Sequence, residues 1–270
     1  MEVDAPVYAI GDVHGQIEKV ARLLRDAELV DDDLHWTGSE ATLWFMGDFF
    51  DRGPGPIASV DLVMRLEAEA AQVGGVVRAL MGNHEVQLVA AQRFPDARST
   101  GPGGTFMRDW EKNGGEAKEL ASLSDVQLEW VLGLPFMAHG RERLFVHADS
   151  RFYEQYGEDV ATANEALHAV VRGDDLQALD QLLHRFSDRD AFVDPLGGGT
   201  TRAREFLDTF GGKQLIHGHT PIDKITHLRP EDVTHAHVYA DGLCVNVDGG
   251  MYRGGPGFIY TVVETGVIVL

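Results

Sequence analysis

Five short stretches of this chain each follow an apolar run and carry Asp, His or Asn: GDVHG (11–15), GDFFDRG (47–53), GNHE (82–85), FVHAD (145–149) and HGHTP (217–221). Turn formation favours Gly, Asn, Asp and Ser, and gives no reason for histidine in four of the five. Imidazole mixed with carboxylate and amide oxygen suits first-row divalent metals such as manganese, iron and zinc. More than four such groups suggests two ions sharing a bridging carboxylate.

Such groups converge only if strands carry them to a common edge. VYAI (7–10), TLWFMG (42–47) and VVRALMG (76–82) read as strands. Between them lie an amphipathic helix from Gln16 to about Leu29 and a second helix over about 56–73, with Pro56 suited to its first turn. This β-α-β-α-β order predicts a buried, largely parallel sheet covered by helices. A loop rich in Gly and Pro follows at 94–104, then helical segments to about 133 and a strand at RLFVHA (143–148). Residues 162–185 and 201–211 read as helical. HAHVYA, LCVNVD, FIYTVV and VIVL, separated by Gly-rich turns, read as an antiparallel sheet. The expectation is an α/β fold, a two-sheet β-sandwich flanked by helices, formed by one domain over 1–270. Ligands in open α/β sheets gather at the carboxyl ends of the strands, where the five stretches lie.

Bulk properties narrow the partners. With 23 Lys plus Arg against 43 Asp plus Glu, the net charge is −20. That argues against nucleic acid or an anionic membrane as partner, since both need a basic footprint. It also means an anionic substrate requires cations close to the site. The single cysteine, Cys244, excludes a disulfide within the chain and reads as inert core. No signal peptide and no run long enough to span a bilayer is evident, which makes the cytoplasm the default location.

GDVHG, GDFFDRG, GNHE and GHTP, in that order, resemble the signature set of the metallophosphoesterases, and specifically the PPP-type phosphoprotein phosphatases. Trp36 ahead of GDFFDRG, EAEAAQVGG ahead of RALMGNHE, and VDGGM near the end are similar to the bacterial-type Shewanella-like protein phosphatases. The resemblance covers about residues 7–260. It implies that Asp12, His14 and Asp48 hold one divalent ion, and that Asp48, Asn83, His147 and His219 hold a second. It also implies direct attack by a hydroxide bridging the two ions, with manganese the first candidate and iron or zinc the alternatives. His84 would protonate the leaving oxygen, oriented by Asp51, while Arg52 and Asn83 bind the phosphate.

Two departures stand out. His147-Ala148-Asp149 stands where the family usually has Gly-Gly or Ala-Gly after the histidine, leaving Asp149 as either a support behind the ligands or a charge facing substrate. The second phosphate-binding arginine has no aromatic marker in DPLGGGTTRAREF, and Arg202 is preferred there over Arg204. His217 reads as structural, His235 and His237 as a solvated edge strand, and GPGG (101–104) as a loop near the site mouth. The expected substrate is a phosphorylated protein or small phosphoester. Symmetrical diadenosine tetraphosphate hydrolases share the catalytic core but usually read GDxQG and GNHD, so His14 and Glu85 favour the phosphatase branch. A non-catalytic metal scaffold would not need His84, Asp51 and Arg52.

Overall fold

Strands β1 (Val7–Ile10), β2 (Thr42–Phe45) and β3 (Val76–Ala79) pair in parallel, joined by helices α1 (Ile17–Asp26) and α2 (Pro56–Gln72). The computed structural model describes residues 5–194 and 197–262. After β3 come α3 (Asn83–Arg93), α4 (Phe106–Lys112), α5 (Ala117–Ser122) and α6 (Asp125–Gly133). A hairpin of β4 (Met137–Gly140) and β5 (Arg143–Val146) follows; the sequence reading missed β4. Helices α7 (Val160–Arg172), α8 (Leu176–Phe186) and α9 (Gly199–Phe210) lead to β6 (Gln214–His217). The expected single helix over 162–185 is broken because Gly173 ends α7 and the Asp175 carboxylate caps α8 through the N–H groups of Gln177 and Ala178. Short α10 (Ile222–Thr226), then β7 (His237–Tyr239), β8 (Cys244–Asn246) and β9 (Ile259–Thr261), complete the described elements.

The last third bears out the expected antiparallel sheet only in part: β7 and β8, from HAHVYA and LCVNVD, pair antiparallel, but β8 joins a sheet whose centre is parallel. β5, β6 and β8 are parallel, and only the outer strands β4 and β7 run antiparallel to their neighbours. The helices between β5 and β6 return the chain to the same end of the sheet, which a hairpin cannot do. β9, from FIYTVV, crosses to the first sheet and pairs antiparallel with β1. VIVL lies outside the described residues. The sheet orders are β3-β2-β1-β9 and β4-β5-β6-β8-β7.

Strand alternation divides the core in two. Ala9, Trp44, Phe145, Ile216 and Val245 face inward between the sheets, where the Trp44 and Phe145 rings stack at 4.8 Å. Ile10, Leu43, Phe45, Leu144, Val146 and Leu215 belong to the larger cluster that also holds helix residues such as Leu24, Leu66 and Leu167. Full burial of a side chain such as Phe145 contributes roughly 1.5–3 kcal/mol. The two sheets therefore stay in fixed relation. Ile10, Phe45 and Ala79 align across the first sheet, and Phe145, Ile216 and Val245 across the second. The loops beyond these rows carry Asp12, Asp48 and Asn83 from one sheet, and His147 and His219 from the other.

Candidate active site

Those loops are bound to each other before any ligand is considered. The N–H groups of Val13 and His14 both donate to the Asp48 carbonyl, and Gly15 N–H donates to Phe49 O. His14, Asp48, Asp51, Arg52 and His219 all adopt positive φ, between 41° and 67°. For residues other than glycine such backbone costs on the order of 1–3 kcal/mol and gathers at functional sites. At Gly82 and Gly218 any side chain would strike the carboxylates of Asp48 and Asp12, so glycine is what lets those groups approach.

Asp12, His14, Asp48, Asn83, His84, His147 and His219 are all buried, and they meet around Asp48. Two compact groups of possible ligand atoms share that residue: His14, Asp48 and His84, and Asp48, His147 and His219. Backbone carbonyls orient two of the imidazoles. His14 Nδ1 donates to Phe50 O at 2.8 Å, and His147 Nδ1 donates to Met46 O at 2.6 Å. In both the Nε2 atom then faces the site, the support a metal-binding histidine ordinarily has. His147 Nε2 lies 3.2 Å from Asn83 Oδ1 and 3.3 Å from Asp48 Oδ1, while His219 Nδ1 lies 2.9 Å from the same Asn83 oxygen. Asp12 belongs to neither compact group. Its Oδ1 accepts the His219 N–H at 2.9 Å, which ties the first and fifth stretches together.

The electrostatics fit added positive charge. Burial, then Asp248 and Asp48, push Asp12 well above the usual carboxylate range. Burial works on Asp48 in the same direction, but the surrounding His147, His84 and His14 hold it well below. Burial also holds His14 and His219 well below the usual histidine range, leaving them neutral with lone pairs to offer. His147 behaves differently: Asp48 and Asp12 overcome burial and raise it to about 10. Two buried atoms in this region, His219 Nε2 and Asp248 Oδ2, have no hydrogen-bond partner. Unpartnered lone pairs, neutral imidazoles and crowded carboxylates are what divalent ions of the manganese, iron or zinc type require. Asp248, from the VDGGM stretch, was given no role in the sequence reading.

His84 stands beside this cluster. Its Nδ1 makes a short hydrogen bond to Asp51 Oδ2, and its N–H donates to Asp48 Oδ1 at 3.0 Å. Burial pushes Asp51 up to about 7 and His84 down to about 3, so between those values the touching pair holds one proton.

The cleft over these groups has a volume of about 90 Å³ and is lined by Arg52, Arg189 and Lys224 as well as Asp48, Asn83 and His84. Arg52 lies over the Tyr252 ring at 4.5 Å and donates to His14 Nε2 at 2.9 Å. The side chains of Arg189 and Lys224 have no hydrogen bond or ion pair among the described residues. They supply the local cations that a chain of net charge −20 needs for an anionic substrate.

Arg202 is a correction. It does not line the cleft. Its guanidinium is committed to three backbone carbonyls, donating to Ala191 at 2.6 Å, Val193 at 3.0 Å and Gly197 at 3.3 Å. It braces the segment that carries Arg189, and Arg189 is the second arginine at the cleft. Asp149 braces the same segment and does not line the cleft. Its fully buried carboxylate accepts Asp190 N–H and Thr220 Oγ1–H, both at 2.9 Å. His217 Nδ1 donates to Gly218 O at 2.9 Å and its Nε2 accepts from the Tyr239 hydroxyl at 2.8 Å, in keeping with a structural role. The GPGG loop lines a neighbouring cavity of about 220 Å³ that shares Asn113 and Ser187 with the cleft.

Comparison with known proteins gives a consistent family. The calcineurin-like phosphoesterase family matches residues 5–223. A symmetrical bis(5'-nucleosyl)-tetraphosphatase of Vibrio cholerae is 26% identical over 84% of this chain and 74% of its own length. Shewanella-like protein phosphatase 2 of Arabidopsis thaliana is 30% identical over 48% of this chain and 33% of its own length. Among solved structures, the cold-active protein-tyrosine phosphatase of a psychrophilic Shewanella species superposes with a TM-score of 0.72 at 20% identity, over 95% of this chain and 75% of that one. The last likeness is one of fold. The Shewanella-like phosphatase relatives match less than half of this chain.

Proposed function

Since this chain belongs to the calcineurin-like phosphoesterase family, we propose that it is a metal-dependent phosphatase acting on phosphomonoesters of protein side chains: phosphoserine, phosphothreonine or phosphotyrosine. The observation that carries the hydrolytic reading is the buried His84–Asp51 pair beside Asp48, under a cleft lined by Arg52, Arg189 and Lys224. Asp12, His14 and Asp48 would hold one divalent ion, and Asp48, Asn83, His147 and His219 the other, with manganese the first ion to test and iron or zinc next. When bound, such ions neutralise phosphate charge and acidify a water enough to make it nucleophilic near neutral pH.

The chain's own groups then have distinct tasks. Arg52 and Arg189 grip phosphate oxygens through their planar forks, with Asn83 beside them. His84, oriented by Asp51, gives a proton to the leaving oxygen, a contribution typically worth about 10²–10⁴ in rate. No helix among the described residues is long and apolar enough to cross a membrane. We take the cytoplasm as the place of action, with neither membrane nor nucleic acid as partner.

A second reading has its own support. The tetraphosphatase relatives align over most of the chain, so a dinucleoside polyphosphate is the competing substrate. Against it stand His14 and Glu85, at the positions where that branch usually has Gln and Asp. The deciding experiment measures kcat/KM for phosphopeptides and diadenosine tetraphosphate in parallel with Mn²⁺. The proposal expects the phosphopeptides to be preferred, and preference for the dinucleotide would replace it.

A further inference from the structure

Trp110 sits on α4, outside every motif that marks the site, and is fully buried. Its indole Nε1–H donates to Asp51 Oδ1 at 2.7 Å, while Asp51 Oδ2 faces His84 Nδ1. The two carboxylate oxygens thus have separate partners, and the indole determines which oxygen the imidazole receives. The segment after Trp110 braces the neighbouring residue as well. Arg52 N–H donates to Gly114 O at 3.1 Å, and Arg52 Nε donates to Asn113 O at 3.3 Å. Glu119, farther along, accepts Asp51 N–H at 3.4 Å and places a second buried carboxylate beside Asp51. A carboxylate next to another carboxylate is held by its donors, and here the Trp110 indole N–H donates to one Asp51 oxygen while His84 faces the other.

We propose that Trp110 is a positioning residue for the leaving-group acid: its indole N–H locks the Asp51 carboxylate so that His84 is held with Nε2 toward the substrate. This rests on the reading of His84 as the acid. An ordinary core tryptophan would be replaceable by another aromatic ring, because only packing would matter. A positioning tryptophan is needed for the N–H itself, and most when the departing oxygen needs a proton.

The test compares wild type, Trp110→Phe and His84→Asn on 2,4-dinitrophenyl phosphate, whose leaving group departs without a proton, and on phenyl phosphate, whose leaving group requires one. For Trp110→Phe we expect kcat on phenyl phosphate to fall at least tenfold. We expect kcat on the dinitrophenyl ester to change less than threefold, with KM and metal content near wild type. Equal losses on both substrates would mean a packing role and overturn the proposal, as would no loss on either. If His84→Asn shows the leaving-group dependence and Trp110→Phe does not, Trp110 alone is wrongly assigned. If His84→Asn shows none, the reading of His84 fails and the proposal with it. A second measurement does not depend on how Trp110→Phe folds. In ¹⁵N spectra of the full chain, the Trp110 indole proton should be protected from exchange and shift in Asp51→Asn, whereas an unshifted signal would overturn the hydrogen bond.

Discussion

Glu85 holds Asp48 by the backbone. Its Oε2 accepts the Asp48 N–H at 2.8 Å and the Gly82 N–H at 2.8 Å, and its Oε1 accepts the Phe49 N–H at 2.7 Å. One buried carboxylate therefore ties the loop after β2 to the start of α3. This fixes the carboxylate of Asp48 between the two histidine groups.

Glu85→Gln keeps the size of this side chain but turns one acceptor into a donor facing a buried N–H. A buried group left unsatisfied costs roughly 1–3 kcal/mol. Thermal denaturation should show the loss, and calorimetric titration with Mn²⁺ should show weaker binding, because Asp48 is no longer held. Unchanged metal affinity in a destabilised variant would separate Glu85 from the metal site.

Arg189 and Arg202 should give opposite phenotypes. Arg189 is exposed on the cleft with no partner among the described residues, so Arg189→Ala should weaken competitive inhibition by inorganic phosphate about tenfold or more, the scale of a lost charge-assisted hydrogen bond. Its melting temperature should stay near wild type. Arg202→Ala frees three carbonyls and should lower the melting temperature. Phosphate inhibition that is lost with Arg202 and retained without Arg189 would restore the sequence-based assignment.

Glu119 predicts a pH dependence of stability. Burial, then the adjacent Asp51 carboxylate, push it up to about 8 from its free value of 4.5. A carboxyl whose pKa is higher in the folded state binds more protons when folded. Its contribution is fully present below about 4.5 and is lost as pH rises toward 8. Glu119→Gln should therefore flatten the fall in melting temperature between pH 5 and pH 8. Parallel profiles for the two proteins would contradict this assignment.

The site was legible where chemistry and strand ends coincide. VYAI, TLWF and RLFV became β1, β2 and β5, and His14, Asp48 and His147 just beyond them reached the site because parallel strands deliver their loops to one edge. What stayed hidden depends on distant contacts. Arg189 lies between Asp188 and Asp190 in an unmarked loop, and it reaches the cleft because Asp149 and Arg202 hold that loop. Trp110 stands outside every motif, and its partner lies 59 residues upstream. HAHVYA and LCVNVD do pair as the antiparallel β7 and β8, but local sequence does not report that β9 pairs with β1 in the other sheet.

On the proposed function, hydrolysis depends on ions held by the residues around Asp48. The direct measurement strips the protein with a chelator, returns Mn²⁺ stepwise, and follows bound metal and phosphate release from p-nitrophenyl phosphate in the same samples. The stripped protein should release no phosphate, and activity should climb as metal content approaches two ions per chain, with Asp48→Asn failing to recover. Undiminished phosphate release from the metal-free protein would contradict it.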